Sequence, residues 1–369
     1  MIEFDLKGPH SQAPARDRLV SALKENRFPQ AVIIEGTKGI GKKKLALQLA
    51  QALCCTDTLK RPCGHCFGCK MAVDPGNVDC WVIPLETKEA NAKSATEASL
   101  GSTSKTVEDY LKGYVSQIIE NPYTVDYLSS IAQISVEQIR HMTSKFAMTG
   151  DRVRFVIVAE AERMNESAAN AFLKTLEEVP PNTYFILTTA SRERLLQTIR
   201  SRCLSLRLPS LLDSEVQEIV VNTTGESASP DALGMAMGAP GKAMFYALHE
   251  SEHGSFALDF LKHSVQGNYS DLFFAMEGEN LKDPDDACLL LNRVSFLISD
   301  VVRMMAGTPP RAPQVASALK ELGIANWGAT ALQNALLEVD ATTEKVVGRK
   351  NTPTVALQTL AIQLFEGYK

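Results

Sequence analysis

Short apolar runs alternate with longer amphipathic patterns between about residue 30 and residue 208. The runs, which are typical of strands buried on both faces of a sheet, occupy residues 31–34, 82–84, 152–158, 184–189 and 204–208. Apolar residues recur at helical spacing between these runs, most clearly over residues 45–53 and 165–179. Strands that alternate with helices predict an α/β fold in which helices cover both faces of a parallel sheet.

The pattern changes after Pro209, where strand-like runs fade and helical spacing continues to the end of the chain. A chain of 369 residues is expected to form two or three domains. We therefore predict an α/β domain over residues 1–208, a small helical domain over 209–253 and an all-α domain over 254–369. A polar stretch at residues 88–107 interrupts the first domain and predicts an exposed insertion that spans about residues 85–132.

Composition and charge narrow the class of protein. The residues are 45% hydrophobic and 22% charged, as in an ordinary globular chain. No apolar run approaches the roughly 20 residues that cross a bilayer, and the first residues lack the features of a signal peptide, so we expect a cytoplasmic protein. The net charge of −5 disfavours a chain that coats nucleic acid by itself, although a local basic face stays open.

The most informative motif is a glycine-rich loop between the first strand and the helix after it. Gly36, Gly41 and Lys42 match the frame G-x-x-x-x-G-K of a P-loop, with Gly39 inside it. The next residue of that motif is Ser or Thr, whose hydroxyl binds Mg²⁺, but here it is Lys43. The loop therefore predicts a degenerate nucleotide site, at which Lys42 still offers a contact for phosphate or sulfate.

A second departure from the NTPase pattern follows the run at residues 152–158. P-loop NTPases place an Asp there to hold Mg²⁺, and then a Glu that polarises the attacking water. This chain has Ala159 in the first position and Glu160 in the second. Because the Asp is absent, we favour the explanation that Glu160 and Glu162 are acidic residues stabilised by a helix N-terminus.

Cysteines cluster shortly after the P-loop helix. The cluster comprises Cys54, Cys55, Cys63, Cys66 and Cys69. The C-x-x-C-x-x-C spacing of the last three, with one more thiolate, suits a tetrahedral Zn²⁺ site, and metal is expected before disulfides in a reducing compartment. The fourth ligand is either Cys54 or Cys55. The alternatives are free thiols that merely fall close together, or ligation by His65.

Three motifs together resemble one known family. They are the cysteine cluster placed after the P-loop helix, residues 170–178 with the sequence NAFLKTLEE, and the triplet Ser201, Arg202 and Cys203. In this combination the chain resembles the bacterial clamp-loader subunits of DNA polymerase III, which are AAA+ proteins. The resemblance covers residues 10–83 and 134–250, and is weaker near residues 351–353.

The resemblance implies an architecture and a set of partners. The expected domains are a RecA-like nucleotide-binding domain, a helical lid and a helical collar that assembles the ring. The expected partners are motor subunits and a delta subunit in a hetero-pentamer, with the sliding clamp and primed DNA reached through the complex and no membrane. The resembling complex loads the sliding clamp on primed DNA during replication.

Within that family the chain resembles the delta-prime type, whose nucleotide motifs are degenerate. The gamma and tau motor subunits carry Thr or Ser after the P-loop lysine and Asp-Glu after the second motif strand, whereas Lys43 and Ala159 remove both Mg²⁺ contacts. The resemblance thus implies a subunit that lacks ATPase activity and holds structural zinc. It also makes the binding of ATP by this chain doubtful. The alternatives are an ATP-hydrolysing gamma-type motor and an unrelated zinc-bearing adaptor on an AAA+-like scaffold.

The resemblance also implies roles for individual residues. Arg202 corresponds to an arginine finger that reaches the ATP of a neighbouring subunit; the alternative is an ordinary surface arginine at a helix end. Thr189 and Lys242 correspond to the polar sensor residues of the nucleotide site, and both are remnants if hydrolysis is lost. The family's spacing from the P-loop lysine to the first zinc ligand favours Cys55 over Cys54.

Overall fold

A computed structural model describes most of the chain. It covers residues 2–25, 27–85, 107–125, 132–146, 153–249, 254–279, 281–313, 316–347 and 352–366. The chain forms two compact units. The first comprises Met1–Gly225 with Gly238–Lys242, and the second comprises Glu226–Met237 with Ala243–Lys369.

The first unit is built on a parallel sheet, as the alternating pattern predicts. The strands are β1 (Glu3–Phe4), β2 (Ala31–Glu35), β3 (Lys60–Arg61), β4 (Trp81–Val82), β5 (Arg154–Val158), β6 (Thr183–Thr189) and β7 (Leu204–Arg207). In the described part of the chain, five of them form one sheet in the order β4-β5-β6-β2-β7, with every neighbouring pair parallel. The short strands β1 and β3 pair with each other, also in parallel.

Helices follow the strands along the first unit. They are α1 (Ala13–Lys24), α2 (Lys42–Cys54), α3 (Phe67–Ala72), α4 (Val107–Glu120), α5 (Val136–Phe146), α6 (Glu166–Glu177), α7 (Gln197–Arg200) and α8 (Asp213–Thr224). Helix α6 begins after Asn165, whose side chain accepts a hydrogen bond from the N–H of Ala168. Its Phe172 meets Phe185 of β6 edge-to-face, with ring centroids 5.3 Å apart, so this helix seals one face of the sheet.

The position of β2 fixes where a ligand could bind. Strand β2 lies between β6 and β7, and its last residue, Glu35, pairs in register with Thr189 and Arg207. In parallel sheets of this kind, ligands bind beyond the carboxyl ends of the strands. The glycine-rich loop leaves the sheet at that edge, because it follows Glu35 directly.

Two stretches of the first unit differ from simple expectation. Between β6 and β7, where strand–helix alternation predicts one longer helix, the structure has a 3₁₀ turn at Arg192–Arg194 and the single turn α7. Leu195 between them is extended and buried, which interrupts any continuous helix. Of the predicted insertion, residues 86–106 and 126–131 lie outside the described residues, whereas residues 107–120 form α4.

Helices alone form the described part of the second unit, as predicted for the C-terminal half. The helices that follow β7 and α8 along the chain are α9 (Pro230–Ala236), α10 (Pro240–Leu248), α11 (Gly254–Gln266), α12 (Tyr269–Glu277), α13 (Pro284–Met305), α14 (Ala316–Glu321), α15 (Gly328–Val347) and α16 (Pro353–Glu366). Phe260, Leu290 and Leu360 are fully buried members of one apolar cluster. Buried Asp300 accepts hydrogen bonds from the N–H groups of Arg311 and Ala312, which fastens the loop after α13.

Candidate functional site

The glycine-rich loop has the backbone arrangement of a phosphate cradle. Helix α2 begins at Lys42, directly after Gly41, whose φ of 103° lies in the left-handed region that favours glycine. The N–H of Gly36 donates to the carbonyl of Thr189 at 3.1 Å, which ties the loop to the end of β6. Strand, loop and helix N-terminus therefore stand in the order that anion binding requires.

Lys42 occupies the place of the phosphate-binding lysine, but its ammonium is bonded to the loop itself. Its Nζ donates to the carbonyl oxygens of Gly36 at 2.6 Å and Thr37 at 2.9 Å. Burial lowers the pKa of Lys42 to about 8, although the nearby Glu162 and Glu160 act in the opposite direction. Carbonyl groups of its own loop thus hold this lysine where a phosphate would hold it in a nucleotide site.

Glu160 is a buried anion that two cations neutralise. Its carboxylate lies 3.3 Å from Nζ of Lys38 and 2.8 Å from Nε of Arg163. Burial raises the pKa of Glu160, but Lys38, Arg163 and Lys43 outweigh burial and the net pKa is lowered. The preceding Ala159 is fully buried and carries no group that could hold Mg²⁺.

The cavity beside the loop has too little room for a nucleotide. Its volume is about 30 Å³, whereas pockets for ligands of that size measure about 300–1,000 Å³. It is lined by Lys38, Gly39, Gly41, Lys42, Lys43, Pro122, Thr124, Val125, Glu160, Glu162, Thr188 and Ala190. At the position of the missing hydroxyl, Nζ of Lys43 lies 4.8 Å from the ring centroid of Tyr114, within the range of a cation–π contact.

The two predicted sensor residues lie at the margin of this site. The hydroxyl of Thr189 accepts from the N–H of Ser191 at 3.1 Å and donates to its carbonyl at 3.0 Å, so a local turn uses it fully. The neighbouring Thr188 lines the cavity, and its Oγ1 accepts from the N–H of Glu160 at 3.3 Å. Strand alternation separates the two threonines, and the sequence does not show which one faces the loop. Lys242 is half-buried, and burial lowers its pKa, with Lys38 acting in the same direction.

Four cysteine sulfurs converge into one cluster. The Sγ atoms of Cys55, Cys63, Cys66 and Cys69 all lie within 4.8 Å of one another. Two of the separations are 4.0 Å, from Cys63 to Cys69, and 3.8 Å, from Cys66 to Cys55. A tetrahedral Zn²⁺ site with Zn–S bonds of about 2.3 Å requires sulfurs about 3.8 Å apart. The donor set and these two separations therefore suit a tetrahedral Zn²⁺ ion.

Backbone N–H groups surround the cluster and distinguish its members from Cys54. The N–H groups of Cys63, Cys66 and Cys69 point at the sulfurs of Cys55, Cys63 and Cys66, at 3.4, 3.3 and 3.4 Å. Burial opposes ionisation of Cys66, but such N–H contacts lower the pKa of its thiol to about 6. The thiol of Cys54 faces the carbonyl of Val153 instead, and burial raises its pKa to about 12.

Arg202 lies at the surface after α7 and is not among the residues that line the loop cavity. Its guanidinium donates to the carboxylate of Glu177 at 2.8 Å and to the carbonyl of Thr198 at 3.0 Å. The arginine and glutamate side chains are 38% and 47% exposed. An exposed pair of this kind contributes at most about 1 kcal/mol to stability, so a stronger anion can displace the glutamate.

The parallel sheet, the P-loop at its carboxyl edge and the cysteine cluster define a RecA-like protein of the P-loop class. A profile of the family described as "DNA polymerase III, delta subunit" matches residues 11–211, which is more than half of the chain. The chain belongs to this family, which confirms the resemblance inferred from its motifs. Among the described residues, no helix combines the length and hydropathy needed to cross a bilayer.

Two relatives found by sequence agree with the family assignment. The chain is 29% identical over 237 residues to DNA polymerase III subunit delta' of Escherichia coli K12, which covers 63% of this chain and 58% of that protein. It is 28% identical over 201 residues to the tau/gamma subunit of Haemophilus influenzae, covering 54% of this chain and 23% of that protein. A gamma subunit-related protein of Thermotoga maritima of known structure is 15% identical, with 95% and 100% of the two chains covered and a TM-score of 0.43. The matched region spans 58% and 23% of these two relatives' own lengths.

Proposed function

We propose that this chain is a delta-prime-type subunit of a bacterial clamp loader, which does not hydrolyse ATP itself. The observation that carries the proposal is the paired loss of Mg²⁺ groups, since Lys43 follows the P-loop lysine and Ala159 directly follows β5. Phosphoryl transfer depends on a metal ion that neutralises developing charge, so a site without either group is expected to be catalytically silent. Lys42, held by loop carbonyls, and Glu160, paired with two cations, support a structural use of the former nucleotide site.

Arg202 is the residue that we propose acts in catalysis, in the ATP site of an adjacent motor subunit. It is exposed, and its partner Glu177 is a surface carboxylate that a phosphate could replace. An arginine supplied to a neighbour's triphosphate can contribute about 10³–10⁵ in rate, by analogy with GTPases. Glu177 and the carbonyl of Thr198 would hold the guanidinium ready before assembly.

We further propose a structural Zn²⁺ ion held by Cys55, Cys63, Cys66 and Cys69. The ion would fasten the loop after α2 to α3, because those elements carry the ligands. The three-domain division into residues 1–208, 209–253 and 254–369 belongs to the same proposal, with a lid and a collar as the second and third domains. The partners would be motor and delta subunits in a cytoplasmic hetero-pentamer, and the clamp and primed DNA would be reached through it.

The decisive experiment compares reconstituted complexes that contain the wild-type chain, Arg202→Ala or Arg194→Ala. Arg194 is an exposed arginine in the nearby 3₁₀ turn, and we propose no role for it. Its replacement by alanine removes the same charge as Arg202→Ala does. We expect Arg202→Ala to lower DNA-stimulated ATP hydrolysis and clamp loading, and Arg194→Ala to leave both near wild type. Unchanged hydrolysis in an intact complex with Arg202→Ala would remove the arginine from the mechanism.

The second candidate function is that of a gamma-type ATPase, because the chain is also similar to a tau/gamma subunit. Calorimetric titration of the isolated chain with ATP and Mg²⁺, together with a phosphate-release assay, separates the two candidates. We expect no turnover above the level of a Lys42→Ala variant. Sustained phosphate release that depends on Lys42 would overturn the assignment as a non-hydrolysing subunit.

A further inference from the structure

Residues 107–125, which the family resemblance left without a role, pack against the P-loop. The ring of Tyr114 on α4 receives the ammonium of Lys43 at 4.8 Å, and the ring of Tyr123 receives that of Lys44 at 4.9 Å. Tyr114 is 5% exposed and Tyr123 is 1% exposed. The segment therefore covers the first turn of α2, where a P-loop presents its N–H groups to phosphate.

Three glycines show how closely the segment fills the cradle. A Cβ atom added to Gly39 would lie 2.8 Å from Cγ2 of Val125, and one added to Gly41 would lie 2.7 Å from Cβ of Pro9 and 2.9 Å from Cε1 of Tyr123. A Cβ atom added to Gly241 would collide with the carbonyl oxygen of Tyr123. In a nucleotide site, glycines at such places let the backbone approach a phosphate. Here Tyr123 and Val125, with Pro9 beside Gly41, occupy the space that the glycines leave.

The turn that presents these two side chains is held by its own hydrogen bonds. The side-chain oxygen of Asn121 accepts from the N–H of Tyr123 at 3.1 Å. The carbonyl of Asn121 accepts from the N–H of Thr124 at 3.0 Å and from its hydroxyl at 2.7 Å. A turn that is ordered before it docks loses little conformational entropy on docking, which favours occupancy.

The segment also provides partners for lysines that follow the loop. A phosphate group would normally balance the lysines of a P-loop. Here the loop carbonyls of Gly36 and Thr37 satisfy Lys42, and aromatic faces of the segment meet Lys43 and Lys44. Shape and charge at the loop are therefore both met from within the chain.

We propose that residues 107–125 are the resident occupant of the P-loop pocket and that they exclude nucleotide phosphates from it. This inference goes beyond the proposed function, which concerns hydrolysis and Arg202. A P-loop that has lost its Mg²⁺ groups can still bind a triphosphate through Lys42 and the helix N-terminus. A loop filled by Tyr123 and Val125 cannot do so until the segment leaves, so occupancy and lost catalysis are separate properties.

The test uses the full-length chain and two ways of opening the pocket. One variant replaces residues 107–125 with a glycine-serine linker, and the other carries Tyr123→Ala with Val125→Ala. Gln117→Ala, an exposed change on the same helix, is the matched control. Binding of ATP and of inorganic triphosphate, each with and without Mg²⁺, is measured by calorimetry. A parallel readout is acylation of Lys42 by an amine-reactive reagent, mapped by mass spectrometry against exposed Lys7.

We expect both opened variants to bind triphosphate at least tenfold more tightly than the wild type, which is about 1.4 kcal/mol. Lys42 should become more reactive in both, and adding Lys42→Ala should abolish the gain in affinity. The control should behave like the wild type. Equal affinity in wild-type and opened chains would overturn the proposal, as would an opened pocket with reactive Lys42 that gains no affinity. If the linker variant does not fold, the Tyr123 and Val125 variant decides.

The outcome is independent of the proposed function. Binding is measured on the isolated chain, whereas the role of Arg202 is measured on the ATPase of the reconstituted complex. An opened variant that binds ATP without hydrolysing it would support both proposals. An opened variant that fails to bind would remove the occupant role and leave the function of Arg202 untouched.

Discussion

The stability of the first unit is expected to rise with pH through the titration of Lys42. An ordinary lysine has a pKa of 10.5, and burial brings that of Lys42 to about 8. The unfolded chain therefore binds the proton more tightly than the folded chain between these two pH values, so folding becomes more favourable as the pH rises. At 1.36 kcal/mol per pKa unit, the ammonium costs the folded state about 3 kcal/mol at neutral pH, a cost that disappears above about pH 10.5.

The measurement is a difference between the wild type and Lys42→Met. Denaturation is followed by the fluorescence of Trp81 in β4, in a Trp327→Phe background so that only the first unit reports. Titrating groups that do not interact with Lys42 cancel in the difference, which should change by about 3 kcal/mol in favour of the wild type between pH 7 and 10.5. Lys24→Met, which removes an exposed lysine at a helix end, is the matched control. A difference for Lys42→Met that does not change between pH 7 and 10.5 would show that burial does not disfavour the ammonium.

Three further changes probe the neighbouring contacts. A double-mutant cycle with Lys43→Thr and Tyr114→Leu should reveal about 0.5–2 kcal/mol of coupling in urea denaturation, and additive effects would deny the cation–π contact. Glu160→Gln should lower stability at pH 7, and the gap from wild type should narrow below pH 4.5, because a lowered pKa contributes stability that acid removes. Cys66→Ser should lose the proposed Zn²⁺, measured by metal analysis, and should melt at a lower temperature, as chelator treatment of the wild type should also cause.

Local sequence patterns were sufficient to predict the parallel sheet, the P-loop and the cysteine cluster. Continuous apolar runs mark strands buried on both faces, and the run at residues 31–34 became β2, which lies between β6 and β7 in the sheet. The cysteine spacing placed Cys63, Cys66 and Cys69 on one short loop and helix, where thiols three residues apart necessarily face one point. The cysteine spacing itself left Cys54 and Cys55 open, and only the family's spacing favoured Cys55. In the structure Cys55, which directly follows α2, is the one whose thiol joins the cluster.

Features that depend on contacts far apart along the chain escaped the sequence. Thr188 rather than Thr189 lines the cavity. Which of two adjacent strand residues faces a site depends on how the strand pairs with its neighbours in the sheet, and its own sequence does not decide this. Tyr123 and Val125 come some 80 residues after the P-loop, and nothing in a polar, mixed stretch indicates which surface it covers. The sequence therefore shows the altered residues Lys43 and Ala159, but it does not show that residues 107–125 fill the pocket beside them.

The altered residues Lys43 and Ala159 both suit a P-loop pocket that residues 107–125 fill. Repairing the motif with Lys43→Thr and Ala159→Asp would remove the ammonium that meets Tyr114 and would place a carboxylate at a fully buried position without a metal ion. Such a carboxylate is strongly unfavourable while the pocket stays filled, so the repaired chain should lose stability rather than gain ATP binding. Only the repaired chain with residues 107–125 replaced offers room for both phosphate and Mg²⁺. ATP binding by the repaired but unopened chain, measured by calorimetry, would show that the segment yields freely and is no barrier.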